Sequence, residues 1–294
     1  MRGNVVVRYG LPLLLALPIS FLVLYPQVFW CLMIGSSADF RLFTSGTSRL
    51  YMHRAATAKQ QVQFRQHTQA AFDRIRRFWG DKRGQAVLIY CPQQSDYQRY
   101  CAGGEGAGCS VGTPWGSAYL ILGPEGNNTD VIAHELCHDE LFSRIGWWRV
   151  KRQIPQWFNE GLALMVDYRF TNPAVWERPD SSEQTAPFAE ERMRPSFPQR
   201  PLLTLTELET TRDFFGGDYF HTMLAYQTAA DEVARWLAVV GRAGVPELTD
   251  MIKSGHGFGE SYRQLERNKR RSLGKQNDVK NAEQNRDPVP SSSH

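Results

Sequence analysis

Two histidines four residues apart, followed by a glutamate in a second helical segment, constrain this chain more than any other feature of its sequence. They enclose Glu135 in the run His134-Glu135-Leu136-Cys137-His138. On a helix, side chains four apart lie on one face, one turn above the other. Two imidazoles so placed can share one zinc ion, while Glu135 beside them can take a proton from a water molecule. The alternative is a helix that carries these residues by chance.

The third ligand of such a site is predicted in the next helix. Pro155 suits the first position of a helix, and Glu160 lies within it, 22 residues after His138. Two antiparallel helices with a short connection can bring Glu160 opposite the two histidines. The apolar neighbours of this glutamate are Trp157, Phe158, Leu162, Leu164 and Met165. A buried carboxylate needs a partner such as a metal ion; otherwise Glu160 faces solvent on an amphipathic helix.

The segments 131–138 and 154–163 together resemble the gluzincin signature and, more narrowly, the peptidase MA-like family. The resemblance covers roughly residues 50–265 and implies a zincin-like metallopeptidase that uses Zn²⁺. It implies that Glu135 is the general base and later the proton shuttle. Cys137 stands where the family commonly has a small residue, and we expect it to pack rather than to bind metal. The implied zinc ligands are His134, His138 and Glu160.

Further substrate contacts follow from the same resemblance. In this family a tyrosine on the helix after the insertion often faces the site, and Tyr226 occupies that place. Its phenol could donate a hydrogen bond to the oxyanion, although a tyrosine of the core fits the same spacing. Tyr219 and His221 are weaker candidates for this role. Related enzymes also pair the substrate main chain with an edge strand, for which the natural choice is Ala118, Tyr119 and Leu120.

The periodicity of apolar residues predicts an α+β fold, and the resemblance implies a zincin-like catalytic domain with a small sheet and a two-helix zinc site, followed by a helical C-terminal part. Predicted helices cover residues 50–79, 127–145, 156–170, 205–212, 219–240 and 245–254, and predicted strands cover residues 86–90 and 115–122. Residues 96–113 and 171–201 are predicted to be irregular. The predicted organisation is a short segment 1–8, an anchor or signal sequence 9–38, a peptidase domain 40–268 and a disordered polar tail 269–294.

The N-terminal segment predicts a membrane partner. No charged residue occurs from Tyr9 to Ala38, and residues 11–35 are almost wholly apolar. A membrane helix needs about 20 such residues, whereas the apolar region of a cleavable signal peptide has about 7–15. The alternative remains a signal peptide cleaved after Ser36-Ser37-Ala38. We expect one membrane helix and a catalytic domain on the exported, periplasmic or extracellular side.

The composition and the cysteines indicate which partners and which cellular compartment are expected. The net charge of +4 is a mild excess, and the basic run near Arg270 is typical of a solvated helix end, so no nucleic-acid partner is expected. Cys91, Cys101 and Cys109 cluster in a Gly-rich stretch. They suit either a disulfide in an oxidising compartment or a set of reduced thiols.

Hydrolysis of a peptide or protein substrate is the function that these features predict. The rival is a catalytically idle, zinc-containing binding or assembly protein on the same scaffold. An intramembrane protease is excluded by placement, because the zinc motif lies about a hundred residues beyond the only predicted span. Its helix also carries Asp130, Asp139 and Glu140.

Overall fold

A computed structural model describes residues 20, 22–45, 48–101, 106–172, 174–177 and 203–284. The chain is α+β and divides into two compact units, one of residues 1–152 with 166–169 and one of residues 153–165 with 170–294. The strands are β1 (Phe40–Ser45), β2 (Ser48–His53), β3 (Val87–Tyr90), β4 (Gly108–Gly112) and β5 (Ala118–Leu122). The α-helices are α1 (Pro26–Leu32), α2 (Ala58–Trp79), α3 (Gln94–Tyr100), α4 (Thr129–Ile145), α5 (Trp147–Gln153), α6 (Gln156–Met165), α7 (Ala174–Glu177), α8 (Thr211–Phe215), α9 (Tyr219–Val240), α10 (Gly244–Lys253) and α11 (Phe258–Gln284).

The first unit is built on a mixed five-stranded sheet in the order β1-β2-β3-β5-β4. Strands β2, β3 and β5 are parallel, whereas β1 and β4 are antiparallel to their neighbours. In the described part of the chain β4 is therefore an edge strand, and β5 is paired on both sides. The prediction that Ala118, Tyr119 and Leu120 form the edge strand is wrong, because the chain places β4 outside β5 through a hairpin.

The two faces of this sheet bury different helices, since successive side chains of a strand point to opposite faces. Ile89 of β3 lies in an apolar cluster with Cys31 of α1 and Tyr97 of α3. On the other face Phe64 of α2 stacks on Tyr90 of β3, with ring centroids 5.1 Å apart. Helices α1 and α3 thus cover one face, and α2 covers the other.

A disulfide joins the end of α3 to the edge strand. Cys101 and Cys109 are bonded, with their Cα atoms 6.2 Å apart. Cys91, the third member of the predicted group, is fully buried and is not part of this bond. Of the two alternatives that the sequence left open, the structure contains the disulfide.

The second unit is helical, and its helices α6 and α9 cross at a glycine. A Cβ atom on Gly161 would lie 2.5 Å from the carbonyl oxygen of Ala229 and 2.7 Å from the side chain of Val233. Only a residue without a side chain permits so close an approach. An aromatic cluster next to this crossing joins α6, α9 and α11 through Trp157, Phe158, Trp236, Phe258 and Tyr262.

The prediction of one helix over residues 50–79 is correct only from Ala58 onward. Leu50 lies instead in β2, where it is buried. The helix begins at a capping box: Thr57 Oγ1 accepts a hydrogen bond from Gln60 N, and Gln60 Oε1 accepts one from Thr57 N. The two bonds satisfy main-chain donors at the start of the helix and so fix its first turn.

The prediction of an irregular segment over residues 96–113 is wrong for most of its length. It contains the larger part of α3 and all of β4. The sequence Gly-Cys-Ser-Val-Gly has little intrinsic preference for a strand, so the extended conformation of β4 depends on its pairing with β5.

Other predicted boundaries differ in the same way. The connection between α4 and α6 contains helix α5, and α6 ends at Met165 instead of continuing to residue 170. Helix α11 includes residues 269–284, which we predicted to be a disordered tail, and a Glu266–Arg270 pair one turn apart lies on it at 2.8 Å. Predicted helices 127–145 and 219–240 are confirmed as α4 and α9. Residues 173 and 178–201 of the predicted irregular segment 171–201 lie outside the described residues.

The predicted membrane segment 9–38 is described only in part. Residues 9–19 and 21 lie outside the described residues. In the part of the chain that the structure describes, no helix has the length and apolar character of a membrane span. Residues 26–36 form α1 and a 3-10 helix, and Val28, Cys31 and Ile34 are buried.

Candidate metal centre

Helix α4 presents the two histidines on one face. The Asn128 side chain caps the helix by accepting a hydrogen bond from Val131 N at 2.9 Å, and the regular turns after this cap place His134 above His138. Their ring centroids are 5.0 Å apart and the rings are nearly perpendicular. The four-residue spacing thus produces the pairing that the sequence predicts.

Helix α6 holds Glu160, whose side chain is buried with 5% of its surface exposed. Gln156, one turn earlier, donates a hydrogen bond from Nε2 to Glu160 Oε1 at 2.7 Å. Gln156 Oε1 in turn accepts a hydrogen bond from Thr211 Oγ1 at 3.2 Å. One carboxylate oxygen of Glu160 is therefore oriented by an amide.

The structure brings the three predicted ligands together. One ligand atom from each of His134, His138 and Glu160 lies within 4.8 Å of the others. Two imidazole nitrogens and one carboxylate oxygen are a donor set that binds divalent transition metals. Three protein ligands leave a coordination position for water, as catalytic metal sites require. This group could hold a metal ion.

A fully buried carboxylate faces the first of these ligands. Asp167 Oδ2 lies 3.5 Å from His134 Nδ1, and the Arg169 guanidinium donates two hydrogen bonds to Asp167, at 2.9 and 2.6 Å. Burial raises the pKa of Asp167, but the hydrogen bonds from Arg169 and His134 outweigh it and lower that pKa to about 2. An ionised carboxylate beside Nδ1 favours a proton there and leaves Nε2 of His134 to bind a metal ion.

Glu135 is held against the edge strand. Its carboxylate accepts a hydrogen bond from Ser110 Oγ at 2.7 Å, and only 7% of its surface is exposed. A Cβ atom on Gly108 would lie 3.1 Å from both Cγ and Oε1 of Glu135. The small residues of β4 thus let α4 approach closely enough for Ser110 to orient the carboxylate next to His134.

Among the described residues no strand pairs with the outer edge of β4, and every second residue directs its main-chain groups to that edge. Thr113 N donates to Ser117 O and Gly123 N donates to Ala107 O. Directly opposite residues of two antiparallel strands alternate between hydrogen-bonded and non-hydrogen-bonded pairs. Residues 109 and 111 therefore exchange main-chain hydrogen bonds with β5. The main-chain groups of Gly108, Ser110 and Gly112 consequently point away from β5. Such an edge can add an extended peptide as a further strand.

The predicted tyrosine lies in an aromatic group of the second unit. The Tyr226 ring packs on Phe170, Phe214 and Phe215, with centroids 5.2–6.4 Å apart. His221 Nε2 is 2.8 Å from the carbonyl oxygen of Asp213. The other weak candidate, Tyr219, has 81% of its surface exposed.

The predicted substrate strand lies inside the sheet. Tyr119 and Leu120 of β5 are buried, and Ala118 is partly buried. Pairing with both β3 and β4 occupies the two edges of this strand. Among the described strands on this side, β4 offers the unpaired edge.

Three residues that contact the side chains of the candidate metal centre were not predicted: Ser110, Gln156 and Asp167. The signal for Gln156 was present, since it lies four residues before Glu160 on a predicted helix. Asp167 and Ser110 reach the site by turns and strand pairing that local sequence does not specify.

No model of a known protein family matches this chain, and no curated protein matches it.

Proposed function

We propose that this chain is a zinc metallopeptidase of the gluzincin type, with a zincin-like catalytic fold. The observation that supports this proposal most directly is the group of His134, His138 and Glu160, with Glu135 beside it in the sequence and oriented by Ser110. Two imidazoles and one carboxylate are the ligand set of glutamate-type zinc peptidases.

Each side chain has a part in the proposed hydrolysis. A bound zinc ion would polarise a water molecule and the carbonyl of the scissile peptide bond. Glu135 accepts a proton from the water and later delivers it to the leaving amine. Ser110 keeps the carboxylate oriented by donating to it. Tyr226 is proposed as the donor that stabilises the oxyanion.

The proposed substrate is a peptide or protein segment in extended conformation. It would pair with the edge of β4, through the main-chain groups of Gly108, Ser110 and Gly112. This strand takes the role first assigned to Ala118, Tyr119 and Leu120, because it carries Ser110 and lies against Glu135.

The proposed location of the catalytic domain is the exported side of a membrane. The Cys101–Cys109 disulfide supports it, because such bonds persist in oxidising compartments. The apolar, uncharged sequence that begins at Tyr9 supports a single membrane helix.

Substitution of the proposed general base tests the function. We expect Glu135→Gln to retain the zinc content of the wild type, measured by elemental mass spectrometry, because Glu135 is not a ligand. Cleavage of a peptide library should fall by about a thousandfold or more, since the proton acceptor is lost. Glu125→Gln, at an exposed glutamate, is the matched control and should cleave normally.

Two outcomes would contradict the proposal. Undiminished cleavage by Glu135→Gln would exclude Glu135 as the base. Stoichiometric zinc in the wild type without cleavage of any library peptide would instead identify an idle binding or assembly protein on this scaffold.

A further inference from the structure

Exposed apolar side chains are concentrated at the N-terminal end of the described chain. Of the fourteen large hydrophobic side chains exposed among the described residues, seven lie between Val23 and Met33. They include Val23, Leu24, Phe29, Trp30, Leu32 and Met33. Scattered single residues of this kind are ordinary on a protein surface, but a contiguous set marks a surface that another phase or molecule covers.

The opposite side of the same segment belongs to the core. Val28, Cys31 and Ile34 are buried, and Cys31 and Ile34 lie in the cluster that fills one face of the sheet. Burial of apolar side chains is the main favourable contribution to folding, and cleavage after Ala38 would remove these three side chains from the core of the first unit.

A further exposed apolar side chain lies on the same side of the sheet as α1. Leu42 of β1 has 51% of its surface exposed. It lies two residues after Phe40, which belongs to the same cluster as Cys31. Alternation along β1 therefore places Leu42 on the α1 side of the sheet. Leu42 is 18 residues from Leu24 in sequence, so its place on this side is a property of the fold and not of the apolar run.

Cations flank this apolar surface. The guanidinium carbon of Arg99 lies 5.3 Å from the centroid of the Trp30 ring. Arg49 is exposed and pairs with Thr44, on the same side of the sheet as Leu42. A tryptophan with adjacent arginines is the composition that binds at the level of anionic lipid headgroups.

The uncharged sequence before α1 is near the minimum length of a membrane span. The uncharged sequence from Tyr9 to Tyr25 has 17 residues, and α1, which begins at Pro26, belongs to the folded unit. A membrane helix needs about 17–25 residues. A short span is accommodated when flanking apolar and aromatic residues enter the interface.

We infer that the α1 surface, formed by the exposed side chains of residues 23–33 and by Leu42, is seated in the headgroup region of an anionic lipid bilayer. The first unit is then in direct contact with the membrane, with one face of its sheet towards the lipid, instead of being connected to it only by a flexible segment. The inference is independent of the metal centre.

A lipid-quenching experiment on the full chain tests this seating. The chain carrying Leu42→Cys is labelled with an environment-sensitive fluorophore and reconstituted in nanodiscs of phosphatidylcholine and phosphatidylglycerol, with nitroxide lipids as quenchers. The native Cys31, Cys91 and Cys137 are buried and Cys101–Cys109 is a disulfide, so the label goes to the introduced thiol. Val62→Cys is the matched control, at a residue 45% exposed on α2, across the sheet.

Quenching at position 42 is expected to exceed that at position 62 by about threefold or more, because only the α1 surface meets the interface. If Leu42→Cys fails to fold, Arg49→Cys gives the same readout from the same side of the sheet. Equal quenching at positions 42 and 62 would overturn the proposal in favour of a simple tether. A label at position 42 shielded from both lipid nitroxides and a water-soluble quencher would also overturn it, since a second copy would then cover the surface.

Discussion

At the scale of single residues, three side chains of the proposed centre each have a neighbouring side chain that orients them. Asp167 faces His134, Gln156 donates to Glu160, and Ser110 donates to Glu135. A carboxylate beside the ring N–H raises the basicity of a metal-binding histidine, and a hydrogen-bond partner reduces the rotamer entropy that each of the three side chains would lose on binding. Of the three, Asp167 carries a full charge in a fully buried position, so its removal should be the most costly.

Replacement of Asp167 by Asn therefore has a specific expected result. The variant keeps the shape of the side chain but loses the charge beside His134 Nδ1, and we expect zinc affinity to fall by about 10- to 100-fold. Competition with a fluorescent chelator measures it, with circular dichroism to verify folding. Asp73→Asn, at an exposed aspartate paired with Arg76, should bind zinc as the wild type does. Equal affinities of the two variants would exclude the proposed role of Asp167.

A second aspartate predicts a dependence of stability on pH. Burial in α9 raises the pKa of Asp231 to about 6. Because this lies above the value of about 3.9 in an unfolded chain, the native state binds more protons between about pH 4 and 6, and stability falls as pH rises through that window. Asp231→Asn should be more stable than the wild type by about 1–2 kcal/mol at pH 7.5, and equally stable near pH 4.

Urea unfolding at the two pH values measures this difference. Asp250→Asn, at an exposed aspartate of α10, is the control and should change stability little at either pH. A gain for Asp231→Asn that persists unchanged at pH 4 would show that ionisation is not its cause.

At the scale of elements, two close contacts between neighbouring elements position the residues that have proposed roles. Helix α4 lies against β4 because Gly108 has no side chain: a Cβ atom there would lie 3.0 Å from Val131. A Cβ atom on Gly112 would lie 2.9 Å from Trp147 of α5 and 3.5 Å from Phe142 of α4. Helices α6 and α9 meet at Gly161, immediately after Glu160. In both places the residue without a side chain lies within two positions of a residue with a proposed role.

The α6–α9 crossing should tolerate no added methyl group. Gly161→Ala places a carbon 2.5 Å from main-chain oxygen that cannot move without shifting α9, so we expect a loss of about 1–3 kcal/mol in the free energy of unfolding. Gly257→Ala is the control, because nothing lies within 4 Å of its added Cβ atom. Denaturant unfolding measures this loss. If Gly161→Ala is as stable as the wild type, the result contradicts the observed packing of α6 on α9.

At the scale of the whole molecule, the metal ion should couple to folding. The three ligands come from two helices and converge only in the native chain, so an unfolded chain binds the ion far more weakly. Binding to the native state alone stabilises a protein by an amount set by the ratio of free ligand to its dissociation constant.

Zinc should therefore raise the thermal midpoint of the full chain. At a free concentration about 100 times the dissociation constant, the stabilisation is about 2.7 kcal/mol. Differential scanning calorimetry with and without a chelator measures the shift, and Glu160→Gln should lose most of it because a ligand is missing. A midpoint unaffected by zinc in the wild type would contradict a native metal centre.

Local sequence was sufficient to predict α4, α9 and the three clustered side chains, because helical periodicity and capping act over only a few residues. It also predicted α6, although not its end at Met165. The edge position of β4, the contact of Asp167 with His134 and the packing of α1 on the sheet arise only in the tertiary structure. They depend on which strands pair and which faces meet, and those contacts join segments that are far apart in the chain. The prediction that Ala118, Tyr119 and Leu120 form an edge strand was wrong for this reason: alternating apolar residues identify a strand, but only its neighbours decide whether it is an edge.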